Sequence, residues 1–254
     1  MKRMLLSFSV CCLMTIPLLA QGKTPVFGGI ETGFVTFDNE KRSLDFIRES
    51  ASDYDYYGDY AGSTNSLYNV FYAGFKQEFP VISRLSFSTG VRFTQVGSSI
   101  KPESGSYMYL FLSSEGTTTN FAKARKISQN SQYLGVPLEF RWYLPSYHFV
   151  RSYVKLGATV NYRIATSTRV TFTDEMMNQY DGDIESQVKK PDSFYSMGYA
   201  SVGLRVGKQY GPSINFEAVM PAFEITTNSS SLTTPITGFG VQVTFQFPMN
   251  FKSE

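Results

Sequence analysis

Residues Tyr133 to Leu144 read YLGVPLEFRWYL, and their alternation sets the architecture of the chain. Leu134, Val136, Leu138, Phe140, Trp142 and Leu144 are apolar, while Tyr133, Gly135, Pro137, Glu139, Arg141 and Tyr143 between them are small, polar or charged. Successive side chains of a strand point to opposite faces, so this period of two gives one wholly apolar face and one carrying Glu139 and Arg141. The run is about twice the length of a common strand and slightly longer than the roughly 9–11 residues that cross a bilayer at a tilt. It predicts a strand of a membrane barrel. Pro137 is discordant: a central strand loses a ladder hydrogen bond there, which calls for a bulge or another partner for the orphaned carbonyl.

The same period recurs on both sides. Upstream, Pro25 to Phe37 is rich in glycine and in β-branched or aromatic residues, with Glu31 its only charge. Leu67 to Phe79 and Arg84 to Val96 alternate and are separated only by Pro80 to Ser83, which makes them a hairpin. Downstream, Arg151 to Ala165 sets Val154, Leu156, Ala158, Val160, Tyr162 and Ile164 against Lys155, Gly157, Thr159, Asn161 and Arg163. Strands from Ser193 to Gly207 and from Pro212 to Thr226 flank the turn GKQYG, and a last strand alternates from Phe239 to Phe247. Long polar connections at 38–66, 97–130 and 166–192 alternate with short ones. An even strand count, short turns at one end and long loops at the other mark an outer membrane barrel. The expected fold is therefore all-β: an eight-stranded antiparallel up-and-down transmembrane β-barrel with short periplasmic turns and long extracellular loops.

Met1 to Ala20 has the order of a secretory signal: Lys2 and Arg3, an apolar run from Met4 to Leu19, then Ala20 before a cleavage point. That puts the mature start at Gln21 and the barrel domain at residues 21–254. Cys11 and Cys12, the only two cysteines, leave with the signal, so disulfide, thiolate and cysteine–metal chemistry are excluded from the mature chain. Lys2 and Arg3 also account for the formal net charge of +2, and no basic excess remains to suggest nucleic acid. Aromatic residues make up 16% of the chain, yet no later stretch approaches about 18 consecutive apolar residues, which excludes helical spans after the signal. Barrels combine these properties because lipid-facing and lumen-facing residues alternate.

With the apolar faces toward lipid, the opposite faces place Glu31, Lys76, Glu78, Arg84, Arg92, Glu139, Arg141, Lys155, Arg163, Arg205 and Glu217 in the lumen. Eight strands enclose a space just wide enough to be filled by side chains, so these residues are expected to form a structural network of paired charges, a plug and not a channel. The set holds more basic than acidic groups, so lumen water, tyrosine hydroxyls or a bound anion must balance the remainder. Trp142, Tyr143, Tyr147, Phe149, Phe79 and Tyr210 near the short turns, and Phe37, Tyr68, Tyr133, Tyr162 and Phe194 near the long loops, are expected to form two aromatic girdles. No catalytic, cofactor or metal site is expected. His148, the only histidine, lies beside a short turn and reads as a surface or girdle residue. The acidic run Asp174 to Glu185 lacks EF-hand spacing and reads as a solvated loop. Gly28 and Gly29 lie in a strand pattern, where a bulge or close packing explains them, and DYDYYGDY from Asp53 to Tyr60 offers tyrosine-rich contact surface.

The signal with its Gln21 start, the glycine-containing first strand VFGGIETGF, the YLGVPLEFRWYL segment and the closing strand GFGVQVTFQF together resemble the PorT-type outer membrane β-barrel family of Bacteroidetes. Tyr133, Leu134, Pro137 and Leu138 match that family's Y-L-x-I-P-L strand, and the resemblance covers residues 21 to 250. It implies an outer membrane barrel of mostly unassigned role, one branch being similar to a component of a protein secretion system, and it carries over no catalytic residue. The expected function is that of a non-enzymatic barrel set in outer membrane lipid, whose loops at 38–66, 97–130 and 166–192 meet surface or envelope protein partners. A narrow pore or solute-binding barrel, and a lipid-modifying barrel enzyme using His148, are the alternatives.

Overall fold

A computed structural model describes residues 26–44, 46–48, 64–102, 107–111, 121–145, 149–208, 211–226 and 228–249. The signal segment, the run Asp53 to Tyr60 and His148 lie outside the described residues. Eight long strands carry the chain: β1 (Val26–Lys41), β3 (Thr64–Ile82), β4 (Leu85–Pro102), β6 (Phe121–Tyr143), β7 (Val150–Phe172), β8 (Phe194–Gly207), β9 (Ser213–Glu224) and β10 (Thr233–Met249). Two short strands, β2 (Ile47–Arg48) and β5 (Met108–Phe111), and one short helix, α1 (Asp181–Gln187), lie between them.

Each long strand pairs antiparallel with the next long strand, and β10 returns to pair with β1 along its whole length. The ladder is therefore a closed ring of eight strands. Closure removes the free edges that an open sheet would expose.

The direction in which side chains point tells which solvent the ring faces. Glu139 and Arg141 are 0% exposed, while their neighbours Phe140 and Trp142 are 52% and 50% exposed. A water-soluble sheet would show the reverse. The same inversion holds on every long strand, with Ile30, Phe71, Val91, Leu156, Leu204, Phe216 and Val241 all exposed. On β6 the outward apolar run Leu134 to Leu144 spans about 34 Å along the strand, or about 26 Å at a tilt of about 40°, close to the apolar band of about 25 Å on membrane barrels.

Pro137 produces no bulge. The β4–β6 register is the same on both sides of it, running from Thr89 opposite Leu138 to Arg92 opposite Gly135, and two β4 positions, Gly90 and Val91, drop out of the ladder. A side chain on Gly90 would stand 2.1 Å from the Phe75 carbonyl oxygen, so only glycine fits between β3 and β4 at this point.

Among the described residues the expected loop at 97–130 is largely strand, 166–192 is strand as far as Phe172 and then mostly helical, and 38–66 is strand at both ends. β4 continues to Pro102, β6 begins at Phe121 and β7 ends at Phe172; β6 and β7 reach 23 residues each. Beyond the apolar belt the alternation changes sign. Ile100, Ile127, Val170 and Phe172 point inward and are buried, while Lys101, Arg125, Ser167 and Arg169 point outward. Past Ile127, β6 leaves β4 and takes β5 as its partner, with Met108 opposite Ala124, and β2 adds to the far side of β5.

These extensions close over the barrel as a cap with its own apolar core. Ile100, Met108, Leu110, Ala122, Ala124, Ile127, Val170 and Phe172 from the strands pack with Ile184 and Val188 from α1 and its end, and with Phe46, Ile47 and Leu232. Asp181, part of the run read as a solvated acidic loop, instead accepts a hydrogen bond from the Val170 amide at 3.1 Å and ties α1 to β7. Asp174 accepts from the Met176 amide at 3.0 Å and starts a two-turn 3-10 segment over Glu175–Tyr180.

Candidate functional site

The inward faces of the ring carry nine of the eleven charges assigned to the lumen, in two layers. In the central layer Glu139, on β6, is the hub. It accepts from Lys76 at 3.1 Å, Arg92 at 2.9 Å and Lys155 at 3.3 Å, and from the Tyr199 hydroxyl. Glu31 closes the other side, 2.7 Å from Arg92 and 3.0 Å from Lys76, and Gln242 donates to it at 3.0 Å. These residues come from strands far apart in sequence, and all of them are buried.

The second layer lies toward the short turns. Arg141 pairs with Glu78 at 2.5 Å and with Glu217 at 3.1 Å, and Lys155 links the layers by pairing with Glu217 as well. Tyr143 and Ser86 donate to Glu78 at 2.7 Å each and Gln246 at 2.6 Å; Tyr153 and Ser201 donate to Glu217 at 2.8 and 3.2 Å. Every carboxylate in the network thus accepts several charged or polar donors, the condition under which buried ion pairs hold together.

Two assignments are corrected. Arg84 has the inward parity of its strand but stands in the turn before β4, exposed. Arg163 is half-buried above the network, beside a shift in the β6–β7 register, and its Nη1 has no hydrogen-bond partner among the described residues. Their removal leaves five cations, Lys76, Arg92, Arg141, Lys155 and Arg205, against four carboxylates. The fifth cation is met by neutral groups: Arg205 donates to the Tyr143 hydroxyl at 3.2 Å and its guanidinium lies 4.4 Å from the Phe27 ring centroid.

Tyrosines are the part of the network absent from the list of charges. Tyr72, Tyr153 and Tyr199 point inward, and Arg92 and Arg141 stack at 4.4 Å on the rings of Tyr72 and Tyr153. Each ring lies over a glycine directly opposite on the next strand: Tyr72 over Gly33, Tyr199 over Gly157 and Tyr153 over Gly203. A Cβ on those glycines would come within 2.4, 2.6 and 2.4 Å of the ring, so only glycine leaves room for it. The available signal was parity, since these tyrosines are in phase with Lys76, Lys155 and Arg205.

The girdle assignments divide the same way. Trp142, Phe149, Tyr162 and Phe194 do face outward, the last two in edge contact at 5.3 Å. Tyr143, Phe37, Tyr68 and Tyr133 are buried on the inner side; Phe79, next to the inward Glu78, lies on the outer side, covered opposite Phe87, and Tyr147 and Tyr210 lie outside the described residues. Phe37, Tyr68 and Tyr133 join Val35, Val70, Val96, Tyr195, Met197, Val219 and Ala222 in an apolar and aromatic layer above the charges. A hydroxyl layer follows, in which Tyr68 donates to Glu224 at 2.8 Å and Ser230 meets Ser98 at 2.7 Å, and then the apolar cap.

Chemically this interior is closed. Its four carboxylates each accept from cations and polar donors, and a charged layer, an aromatic layer and an apolar cap lie in series along the axis. The fold and the site together define a class: a closed up-and-down β-barrel of eight strands with a filled interior and an apolar exterior.

No family model and no curated protein sequence matches the chain. Among solved structures it is similar to the outer membrane protein OprG from Pseudomonas aeruginosa, with 13% identity over 89% of this chain and 98% of that one and a TM-score of 0.41. It is also similar to Ail, the attachment invasion locus protein of Yersinia pestis, with 9% identity over 88% and 100% of the two chains and a TM-score of 0.28. The translocator domain of autotransporter NalP from Neisseria meningitidis gives 8% identity over 93% and 92%, with a TM-score of 0.30. At such low identities and scores, the chain's own closed ladder is what defines its fold.

Proposed function

We propose that this chain is a non-conducting, non-enzymatic outer membrane barrel that serves as a rigid pedestal. Its apolar belt would sit in lipid, its short turns would face the periplasm, and its cap would be held at the cell surface to meet a partner. The observation that carries the reading is the filled interior: buried ion pairs around Glu139 and Glu78, with the apolar cap core above them. An aqueous path would have to break both. The signal-like segment Met1 to Ala20 supports export, and the resemblance of Tyr133, Leu134, Pro137 and Leu138 to the PorT-type strand supports this reading.

The test is purified, heat-modifiable protein in planar lipid bilayers. A silent bilayer, with insertion verified by protection of the barrel from protease, is the expected result. Steady ohmic conductance steps would contradict the pedestal and favour the pore.

A further inference from the structure

A cleft of about 630 Å³ opens at the cap end of the barrel, between the chain leaving β1, the segment after α1, and the β9–β10 connection. Its walls are tied together by hydrogen bonds. The Arg42 guanidinium donates to Asn228 Oδ1 at 2.9 Å and to Thr234 Oγ1 at 3.1 Å, fixing the first wall to the third. The Asp192 amide donates to the Asn228 carbonyl at 3.0 Å and the Asn228 amide group donates to Asp192 Oδ2 at 3.1 Å, fixing the second wall to the third. Gln129, from β6, donates to the Lys189 carbonyl and accepts from the Ser231 amide at 2.9 Å, anchoring both to the barrel.

The lining has a definite chemical character. Among the described residues the lining holds three cations, Arg42, Lys189 and Lys190, and one carboxylate, Asp192. The ammonium groups of Lys189 and Lys190, both exposed, make no hydrogen bond or ion pair among the described residues. Hydroxyls and amides of Ser43, Ser231, Gln187 and Asn228 stand beside the cations, and Leu44 and Pro191 give short apolar stretches. A walled cleft of this size, with convergent polar groups, is of the kind that holds small molecules. Clustered cations call for an anion, side-chain amides and hydroxyls for a polyol, and small apolar surfaces for the CH faces of a ring.

We infer that this cleft binds a small anionic saccharide, a sugar bearing a phosphate or carboxylate. Lys189 and Lys190 take the anionic group, and the Ser43 hydroxyl, with the second amide hydrogen of Asn228 and the acceptor lone pairs of Ser231 Oγ that the wall contacts leave over, takes the ring hydroxyls. The inference concerns the cap alone, so it stands or falls independently of whether the barrel conducts.

The full-length protein in detergent is titrated calorimetrically with glucose 6-phosphate, glucuronate, inorganic phosphate and glucose. Both anionic sugars are expected to bind at least tenfold more tightly than glucose or phosphate. The double variant Lys189→Gln with Lys190→Gln, with the same heat-modifiable migration as the parent, is expected to lose at least tenfold in affinity for the anionic sugars, and added salt to weaken them in the parent. Absence of binding, equal binding of glucose, binding of phosphate alone as tightly as glucose 6-phosphate, or an unchanged affinity in the double variant would each overturn the inference.

Discussion

Glu139 shows how a single side chain can organise a barrel interior. Three cations and a tyrosine hydroxyl converge on its two oxygens, and all of them are buried. Replacing it by glutamine leaves Lys76, Arg92 and Lys155 crowded without their shared counter-charge. The expected cost for Glu139→Gln is about 3–5 kcal/mol, read as a lower urea midpoint for loss of the heat-modified band. Arg84→Gln is the matched control and is expected to change stability by less than about 0.5 kcal/mol, because that side chain sits in an exposed turn. Gly203 makes the complementary point about space. Gly203→Ala pushes a methyl group into the Tyr153 ring, with an expected loss of about 1–3 kcal/mol in the same assay, and pairing it with Tyr153→Ala is expected to recover the overpacking part of that loss. Parity alone was enough to place Glu31, Lys76, Glu78, Arg92, Glu139, Arg141, Lys155, Arg205 and Glu217 inside. It failed at Arg84 because alternation does not say where a strand ends. Tyr72, Tyr153 and Tyr199 share that parity, and an assignment of charged residues alone to the lumen leaves them out.

The strands β4, β6 and β7 carry two alternations of opposite sign on one continuous backbone. Within the belt their apolar side is outward, toward Leu134, Leu156 and Val91; in the cap it is inward, toward Ile100, Ile127 and Val170. A reading tuned to apolar-out strands therefore sees the segments 97–130 and 166–192 as polar connections, and the strand ends there become legible only when the pairing partners are known. The sign change also sets a depth scale along β7. Leu156→Arg places a charge near the middle of the belt and is expected to destabilise the inserted barrel by about 2–4 kcal/mol. Ser167→Arg, on the same outer face but beyond the belt, is expected to be neutral within about 0.5 kcal/mol. Both are measured as unfolding free energies in lipid vesicles. Equal costs at the two positions would mean that the belt does not meet lipid where the exposed side chains put it.

The whole molecule reads as a sealed cylinder: apolar outside, ionic and aromatic inside, and lidded at one end by a cap that belongs to the same strands. Closure of the ring through β10 and β1, the filled lumen and the apolar exterior are mutually dependent. Without lipid the belt would drive aggregation, and without the ion pairs the buried charges would not tolerate the lumen. The most direct measurement is depth by single cysteines, made on a chain starting at Gln21, which contains no cysteine of its own. Phe140→Cys, Leu156→Cys, Ser167→Cys and Lys189→Cys are each labelled with a small fluorophore and reconstituted into vesicles whose acyl chains carry bromine. Positions 140 and 156 are expected to be quenched by the brominated chains and, when unlabelled, to resist a water-soluble thiol reagent, while positions 167 and 189 show the opposite on both counts. Equal reactivity from water at all four, with no quenching at 140 or 156, would contradict a membrane-spanning barrel.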